Sequence, residues 1–190
     1  MNTLLISGSP RKGNTEYILK TIFDSIKEDK DIILLRELDL KHCDGCLTCD
    51  ESNKCHIKDD MQNLYEKLIQ ADIIVLGTPN YFNNVSGLLK DFIDRTNPFY
   101  QTDKLKGKKL INVVVGDMGE EECEKVVSNV LNSFKGAHQL ELLGSYCFKG
   151  LATDDIKNNK ELEEQKGSSD QKKGIKEKIK EITEKITSFS

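Results

Sequence analysis

Four cysteines, Cys43, Cys46, Cys49 and Cys55, fall within the run CDGCLTCDESNKC, separated by two, two and five residues. Cysteines two apart along a turn can aim their thiolates at one centre while backbone N–H groups turn toward the sulfurs. Four thiolates then complete the coordination of a cubane iron–sulfur cluster. The run is close to the bacterial ferredoxin pattern, but its last gap is five rather than three and no proline follows Cys55. Three other readings stay open. A four-cysteine zinc site usually separates two CxxC pairs by a longer connection, which this spacing fits poorly. A disulfide framework belongs to small secreted chains, and MNTLLISGSP has no basic n-region, apolar h-region or cleavage site. The thiols could also be present without a cluster. His42 and His56 flank the run and read as exposed or outer groups rather than ligands, while Cys123 and Cys147 lie apart from it and read as structural residues.

A second constellation opens the chain. The apolar segment Thr3–Ser7 leads into Gly8-Ser9-Pro10-Arg11-Lys12-Gly13-Asn14-Thr15 and then a helical pattern. Hydroxyls, backbone N–H groups and a helix N-terminus around one point are the equipment for an anion. Gly8, Gly13 and Thr15 have P-loop spacing, but Asn14 stands where a triphosphate site needs lysine. A single terminal phosphate can still be held by Ser9, Thr15 and backbone amides, with Arg11 adding charge. The competing reading is an ordinary strand-to-helix turn. Two further segments carry related equipment. Pro79-Asn80-Tyr81-Phe82 places two aromatic rings among turn residues, suited to a flat ring or simply to packing, and Gly116-Asp117-Met118-Gly119 offers close backbone approach. Ser86 is placed to cap a helix over Leu88–Asp94.

The elements that would bring these segments together are visible in the periodicity. Short apolar runs at Thr3–Ser7, Ile32–Arg36, Ile73–Gly77, Leu110–Val115 and Gln139–Tyr146 read as strands. Between them, residues at helical spacing share faces: Ile18, Leu19, Ile22 and Ile26; Met61, Leu64, Leu68; Val85, Leu88, Leu89, Phe92; Val126, Val130, Leu131, Phe134. A last helix carries Ile175, Ile179, Ile182 and Ile186. Buried strands alternating with helices predict an α/β doubly wound parallel sheet of five strands, order 2-1-3-4-5, with helices on both faces. The cysteine run falls after strand two, ahead of the second long helical face. In such a sheet ligands bind beyond the carboxyl ends of the strands, where the loops after strands one, three and four lie. A flat ring with a phosphate tail at that edge describes flavin mononucleotide.

The segments ISGSPRKGNT and GTPNYFNNVSGLLKDFIDR, together with the cysteine run followed by IKDDM, resemble the iron–sulfur flavoprotein branch of the NAD(P)H-dependent FMN reductase family. The resemblance runs in order from Met1 to about Val115. It implies a flavodoxin-like fold in which Ser9, Arg11, Asn14 and Thr15 hold the FMN phosphate. Pro79, Asn80, Tyr81 and Phe82 would then meet the ribityl chain and ring, and Gly116 and Asp117 the ring's far edge. It further implies a [4Fe–4S] cluster on Cys43, Cys46, Cys49 and Cys55, and a homodimer or dimer of dimers in which cluster and flavin exchange electrons across a subunit interface. The loop GDMGEEE is more acidic than the Gly-rich loops common in relatives.

Composition bounds the rest. The chain has 190 residues, which reads as a single FMN-binding domain over 1–190, and a formal net charge of -4 from 28 basic and 32 acidic residues. That balance offers no basic field for nucleic acid, and no apolar run reaches membrane-span length, so a cytoplasmic protein is expected. The tail from Lys157 to Ser190, with Gly167-Ser168-Ser169-Asp170 before its last helix, reads as a solvated helical face. The expected activity is electron transfer between a reduced donor, ferredoxin or NAD(P)H, and a terminal acceptor. The alternatives are a cluster-free NAD(P)H-dependent FMN or quinone reductase, and a non-enzymatic carrier or zinc-binding scaffold.

Overall fold

Five parallel strands form one sheet: β1 (Asn2–Ser7), β2 (Asp29–Leu34), β3 (Ile73–Pro79), β4 (Lys109–Gly116) and β5 (Glu141–Lys149), in the order β2-β1-β3-β4-β5. The computed structural model describes residues 1–100, 102–117, 119–150, 156 and 174–189. The polar stretch 167–170 and Met118 of the third loop lie outside the described residues. Alternate side chains of each strand enter two separate cores, because successive strand residues point to opposite faces. Leu4, Ile6, Ile74, Leu76, Leu110 and Val114 face one core; Leu5, Ile73, Val75, Ile111, Val113 and Val115 face the other.

Helices α1 (Asn14–Ser25), α2 (Thr48–Ser52), α3 (Met61–Gln70), α4 (Gly87–Asp94), α5 (Glu120–Val126), α6 (Asn132–Ala137) and α7 (Ile175–Thr187) fill the connections. Helices α3 to α6 cover the first core through Leu64, Leu68, Leu89, Phe92, Val126 and Phe134. The second core is covered by α1 and α7, with Ile175, Ile179, Ile182 and Ile186 all buried against Ile18 and Ile22. The sheet is therefore wound on both faces, as the alternation predicts. Among the described residues no helix is long and apolar enough to cross a membrane.

Several boundaries differ from the apolar pattern. Strand β2 begins at Asp29 rather than Ile32, because its register on β1, Asn2↔Asp29 through Ser7↔Leu34, fixes its length, and an edge strand accepts half-exposed polar residues. Leu35–Glu37 then form a 3-10 turn instead of continuing the strand. Strand β5 starts later than Gln139, whose φ of 54° turns the chain, and runs on to Lys149 to match Gly116. The predicted helical face Val126–Phe134 is interrupted by a π turn at Val127–Leu131. Cys123 on α5 and Cys147 on β5, 24 residues apart in sequence, form a disulfide that ties helix to sheet.

Candidate functional site

Parallel registers bring the ends of β1, β3 and β4 to one edge: Ser7 pairs with Gly77, and Gly77, Thr78 and Pro79 pair with Val113, Val114 and Val115. The three loops named from sequence leave from this edge. In the first, the Gly8 N–H donates to the Gly77 carbonyl at 2.8 Å, and the chain passes so close to α4 that a Cβ at position 8 would lie 2.5 Å from Leu89 Cβ. Ser9 Oγ donates to the Arg11 carbonyl at 2.7 Å and so fixes the curve of the loop. Thr15 and Ser9 are buried, whereas Arg11 is exposed. Helix α1 starts after Gly13 with no side-chain cap, which leaves its positive end to the loop rather than to a hydroxyl. Asn14 is buried, and its Oδ1 accepts from the Ile156 N–H at 3.2 Å.

The second loop is a tight hairpin. Tyr81 and Asn84 exchange backbone hydrogen bonds of 2.9 and 3.1 Å, while Phe82 and Asn83 take φ values of 53° and 55°. Left-handed backbone at an aromatic residue is an outlier, and here it holds the Phe82 ring fully in solvent beside half-exposed Tyr81. The Asn80 N–H donates to the Val115 carbonyl at 2.8 Å, which locks the hairpin to the end of β4. Ser86 does more than cap α4. Its Oγ accepts from the Leu89 N–H and donates to the Gly8 carbonyl, so a single hydroxyl joins the first and second loops. In the third loop Gly116 accepts from the Gly150 N–H at 3.1 Å and Asp117 lies 3.7 Å from Lys149. The acidic segment behind it is a helix start, in which Glu122 Oε2 accepts from the Gly119 N–H.

The cysteine run is a separate structure at the other end of α4. Cys43, Cys46, Cys49 and Cys55 all line one pocket, which Arg95, Asn97 and Pro98 line as well. Left-handed residues Gly45, Leu47 and Asn53 fold the loop around α2. Asn97 Nδ2 donates to Cys49 Sγ and to Asp50 Oδ1, both at 3.0 Å. His42 and His56 are exposed and pair with Asp91 and Asp44, each at 2.7 Å. Asp44, Cys46 and His56 bring ligand atoms within 4.8 Å of one another on the exposed rim.

What holds this loop was not among the residues singled out from sequence. The Arg95 side chain is fully buried and forks onto Asp59, with Nη1 to Oδ2 at 2.6 Å and Nη2 to Oδ1 at 2.9 Å. Its Nη1 also donates to the Lys41 carbonyl, and Asp59 accepts from the Lys41 and Met61 N–H groups. One ion pair thus gathers the chain just before Cys43 and just after Cys55. Burial works against the Asp59 charge, but the Arg95 hydrogen bonds and the Lys41 and Met61 N–H groups hold its carboxyl below the usual range. Burial likewise opposes the Arg95 charge, and Asp59 and Cys55 outweigh it. Burial and the charge of Cys55 push the Tyr65 phenol up, and its hydroxyl donates to the Arg95 carbonyl at 2.6 Å. The only sequence trace of this anchor is that Asp59 and Arg95 sit in IKDDM and DFIDR, where they look like ordinary surface charges.

The family model for NADPH-dependent FMN reductase matches residues 1–146. An iron–sulfur flavoprotein of Methanocaldococcus jannaschii is 36% identical over 138 residues, covering 70% of this chain and 72% of its own. The chain belongs to the iron–sulfur flavoprotein branch of that family. An iron–sulfur flavoprotein of Archaeoglobus fulgidus is 42% identical over 99 residues, covering 50% of this chain and 49% of its own, so this chain spans about half of that relative. The family's fold is shared with an NAD(P)H:quinone oxidoreductase from Methanothermobacter marburgensis, at a TM-score of 0.66 and 15% identity over 82% of this chain and 87% of that one.

Proposed function

We propose that this chain is a flavin-dependent oxidoreductase that binds FMN at the edge formed by β1, β3 and β4 and a [4Fe–4S] cluster at Cys43, Cys46, Cys49 and Cys55. Its work would be to pass electrons between a reduced donor, ferredoxin or NAD(P)H, and a terminal acceptor. The observation that carries this reading is that four cysteines with near-ferredoxin spacing line one cavity in a member of the iron–sulfur flavoprotein branch. The flavin end fits as well. An uncapped helix N-terminus, the buried hydroxyls of Ser9 and Thr15 and the exposed Arg11 suit one phosphate. Tyr81 and Phe82 present aromatic faces at the same edge, and Gly116 lets the backbone approach a ring. In this reading Asn14 joins Ser9, Arg11 and Thr15 at the phosphate, Pro79, Asn80, Tyr81 and Phe82 meet the ribityl chain and ring, and Gly116 and Asp117 lie at the ring's far edge.

When bound, FMN takes electrons in pairs or singly and a cluster moves one at a time, so together they couple donors and acceptors of unlike stoichiometry. The chain's part is to hold, orient and shield. The eight residues of α4 span about 12 Å at 1.5 Å per residue, which separates the flavin edge from the cysteine cavity within one protomer. We therefore read the assembly as a homodimer or dimer of dimers of this one FMN-binding domain, with the segment 43–60 in the contact. Exposed Leu47 and Phe82, beside the cysteines and at the hairpin tip, favour such burial.

Anaerobic reconstitution, followed by iron, sulfide and flavin analysis, tests the reading. Iron, acid-labile sulfide and FMN together, with oxidation of NAD(P)H or reduced ferredoxin, are the expected result. Flavin with neither iron nor sulfide would instead leave a cluster-free NAD(P)H-dependent FMN or quinone reductase. Stoichiometric zinc would point to the rim formed by Asp44, Cys46 and His56. Sedimentation showing only monomers of the holoprotein would remove the dimer.

A further inference from the structure

Two side chains that carry N–H donors, Asn97 and Arg95, line the pocket formed by the four cysteines. Asn97 Nδ2 already donates to Cys49 Sγ at 3.0 Å, and its second N–H goes to Asp50 Oδ1. These two contacts set the amide with its NH₂ end toward Cys49 and Asp50. Arg95 lines the same cavity. Both of its terminal nitrogens are satisfied by Asp59 and Lys41, yet its Nε, buried with the rest of the side chain, has no acceptor among the described residues. A buried charged N–H without an acceptor is costly and calls for a partner that the described residues do not supply. Asp59 and Lys41 hold the guanidinium in place, so it cannot turn to find one.

We infer that Arg95 Nε and Asn97 Nδ2 are N–H donors to the sulfurs of the metal cluster and set its reduction potential, a role that rests on the cluster reading given above. The physical cause is charge. One-electron reduction adds a negative charge that spreads over the sulfurs, and N–H groups pointed at sulfur stabilise the more negative form, as does a fixed guanidinium charge nearby. The donors sit on Arg95–Asn97, at the end of α4, and not in the cysteine loop itself. The helix that carries the flavin hairpin at its start thus carries the cluster's hydrogen-bond donors at its end.

The test uses the anaerobically reconstituted holoprotein and an electron-paramagnetic-resonance redox titration, with the FMN potential of the same sample as internal control. Asn97→Leu keeps the shape and removes the donor; Arg95→Lys keeps the charge and removes Nε. Each is expected to move the cluster to a more negative potential, with the one-electron equilibrium shifted about tenfold, which corresponds to about 59 mV, while the flavin couple stays put. Should Arg95→Lys fail to fold, Asn97→Leu decides alone. Fully loaded variants whose cluster potential matches the wild type overturn the inference and leave the proposed function standing. Wild-type protein that takes up neither iron nor sulfide overturns both.

Discussion

The proposed flavin edge and the cysteine loop are positioned by opposite strategies. At the proposed flavin edge, strand register does the placing: Ser7, Gly77 and Val113 are neighbours in the sheet, and β3 and β4 run on only to Pro79 and Gly116, so the loops that follow leave from one edge. Ser86 and Asn80 only trim the result with one hydroxyl and one backbone N–H. The cysteine loop has no such frame. Between the 3-10 turn after β2 and the start of α3 it contains a single helical segment, the five-residue α2, and its ends are gathered by the buried Arg95–Asp59 pair. Placement by sheet spreads its energy over many backbone hydrogen bonds, whereas placement by ion pair concentrates it in two side chains. The two sites should therefore fail differently.

Arg95→Ala is the sharpest way to break that contrast. It leaves the Asp59 carboxylate buried and unpaired, and breaking a buried pair costs about 3–5 kcal/mol. The loss should appear as a lower denaturation midpoint, with new proteolytic cleavage confined to 39–60 while the flavin edge still takes up FMN. The double variant Asp59→Leu with Arg95→Met removes both charges, and much of the stability should return because buried pairs are rarely better than packed apolar groups. If the double variant is no more stable than Arg95→Ala, the pair is not the anchor described.

The same contrast explains what could be read from the chain. Strand order, the two-sided winding and the meeting of the three loops follow from alternation of apolar runs, since a parallel sheet leaves little choice about where its carboxyl edge lies. The four cysteines declared themselves by spacing. Arg95 and Asp59 did not, because a charged residue destined for burial carries no local mark. Asp59 is separated from Arg95 by 36 residues, and each sits in a charged, helix-flanking segment that looks solvated. The strand limits of β2 and β5 were displaced for a related reason, as register on a neighbour rather than local hydrophobicity decides where pairing stops. The Cys123–Cys147 disulfide and the contact of Asn14 with Ile156 are likewise tertiary facts.

A smaller effect probes the flavin edge. Gly8→Ala forces a methyl to within 2.5 Å of Leu89 Cβ, a contact with a helix-bound atom that cannot swing aside. Overpacking of this kind costs about 1–3 kcal/mol, and here the first loop must move off α4 and strain the Ser86 link. FMN should bind more weakly, measured by flavin fluorescence on dilution, while iron and sulfide uptake by the cysteine loop is unchanged. Equal loss of both cofactors would mean that α4 transmits the displacement to Arg95 and that the two sites are less independent than their architecture suggests.

The smallest effect near neutrality is the dependence of the cysteine loop on pH. The folded-state pKa of Asp59 lies below its ordinary value of 3.8, because the hydrogen bonds from Arg95, Lys41 and Met61 outweigh the burial that would raise it. For a carboxyl depressed in the folded state, the unfolded chain binds its proton first as the pH falls. The stabilisation is thus complete above the unfolded pKa and is lost as the pH drops through the folded one. Between pH 5 and 8 the Arg95–Asp59 anchor should therefore contribute no slope. Below about pH 4, near the ordinary carboxylate pKa, the unfolding free energy of the wild type should fall more steeply than that of the Asp59→Leu, Arg95→Met double variant. The difference between the two curves isolates this one carboxyl from the other acidic residues, since those titrate in both proteins. Parallel curves through the acid range would show that Asp59 is not the proton-linked anchor, even if Arg95→Ala proves destabilising.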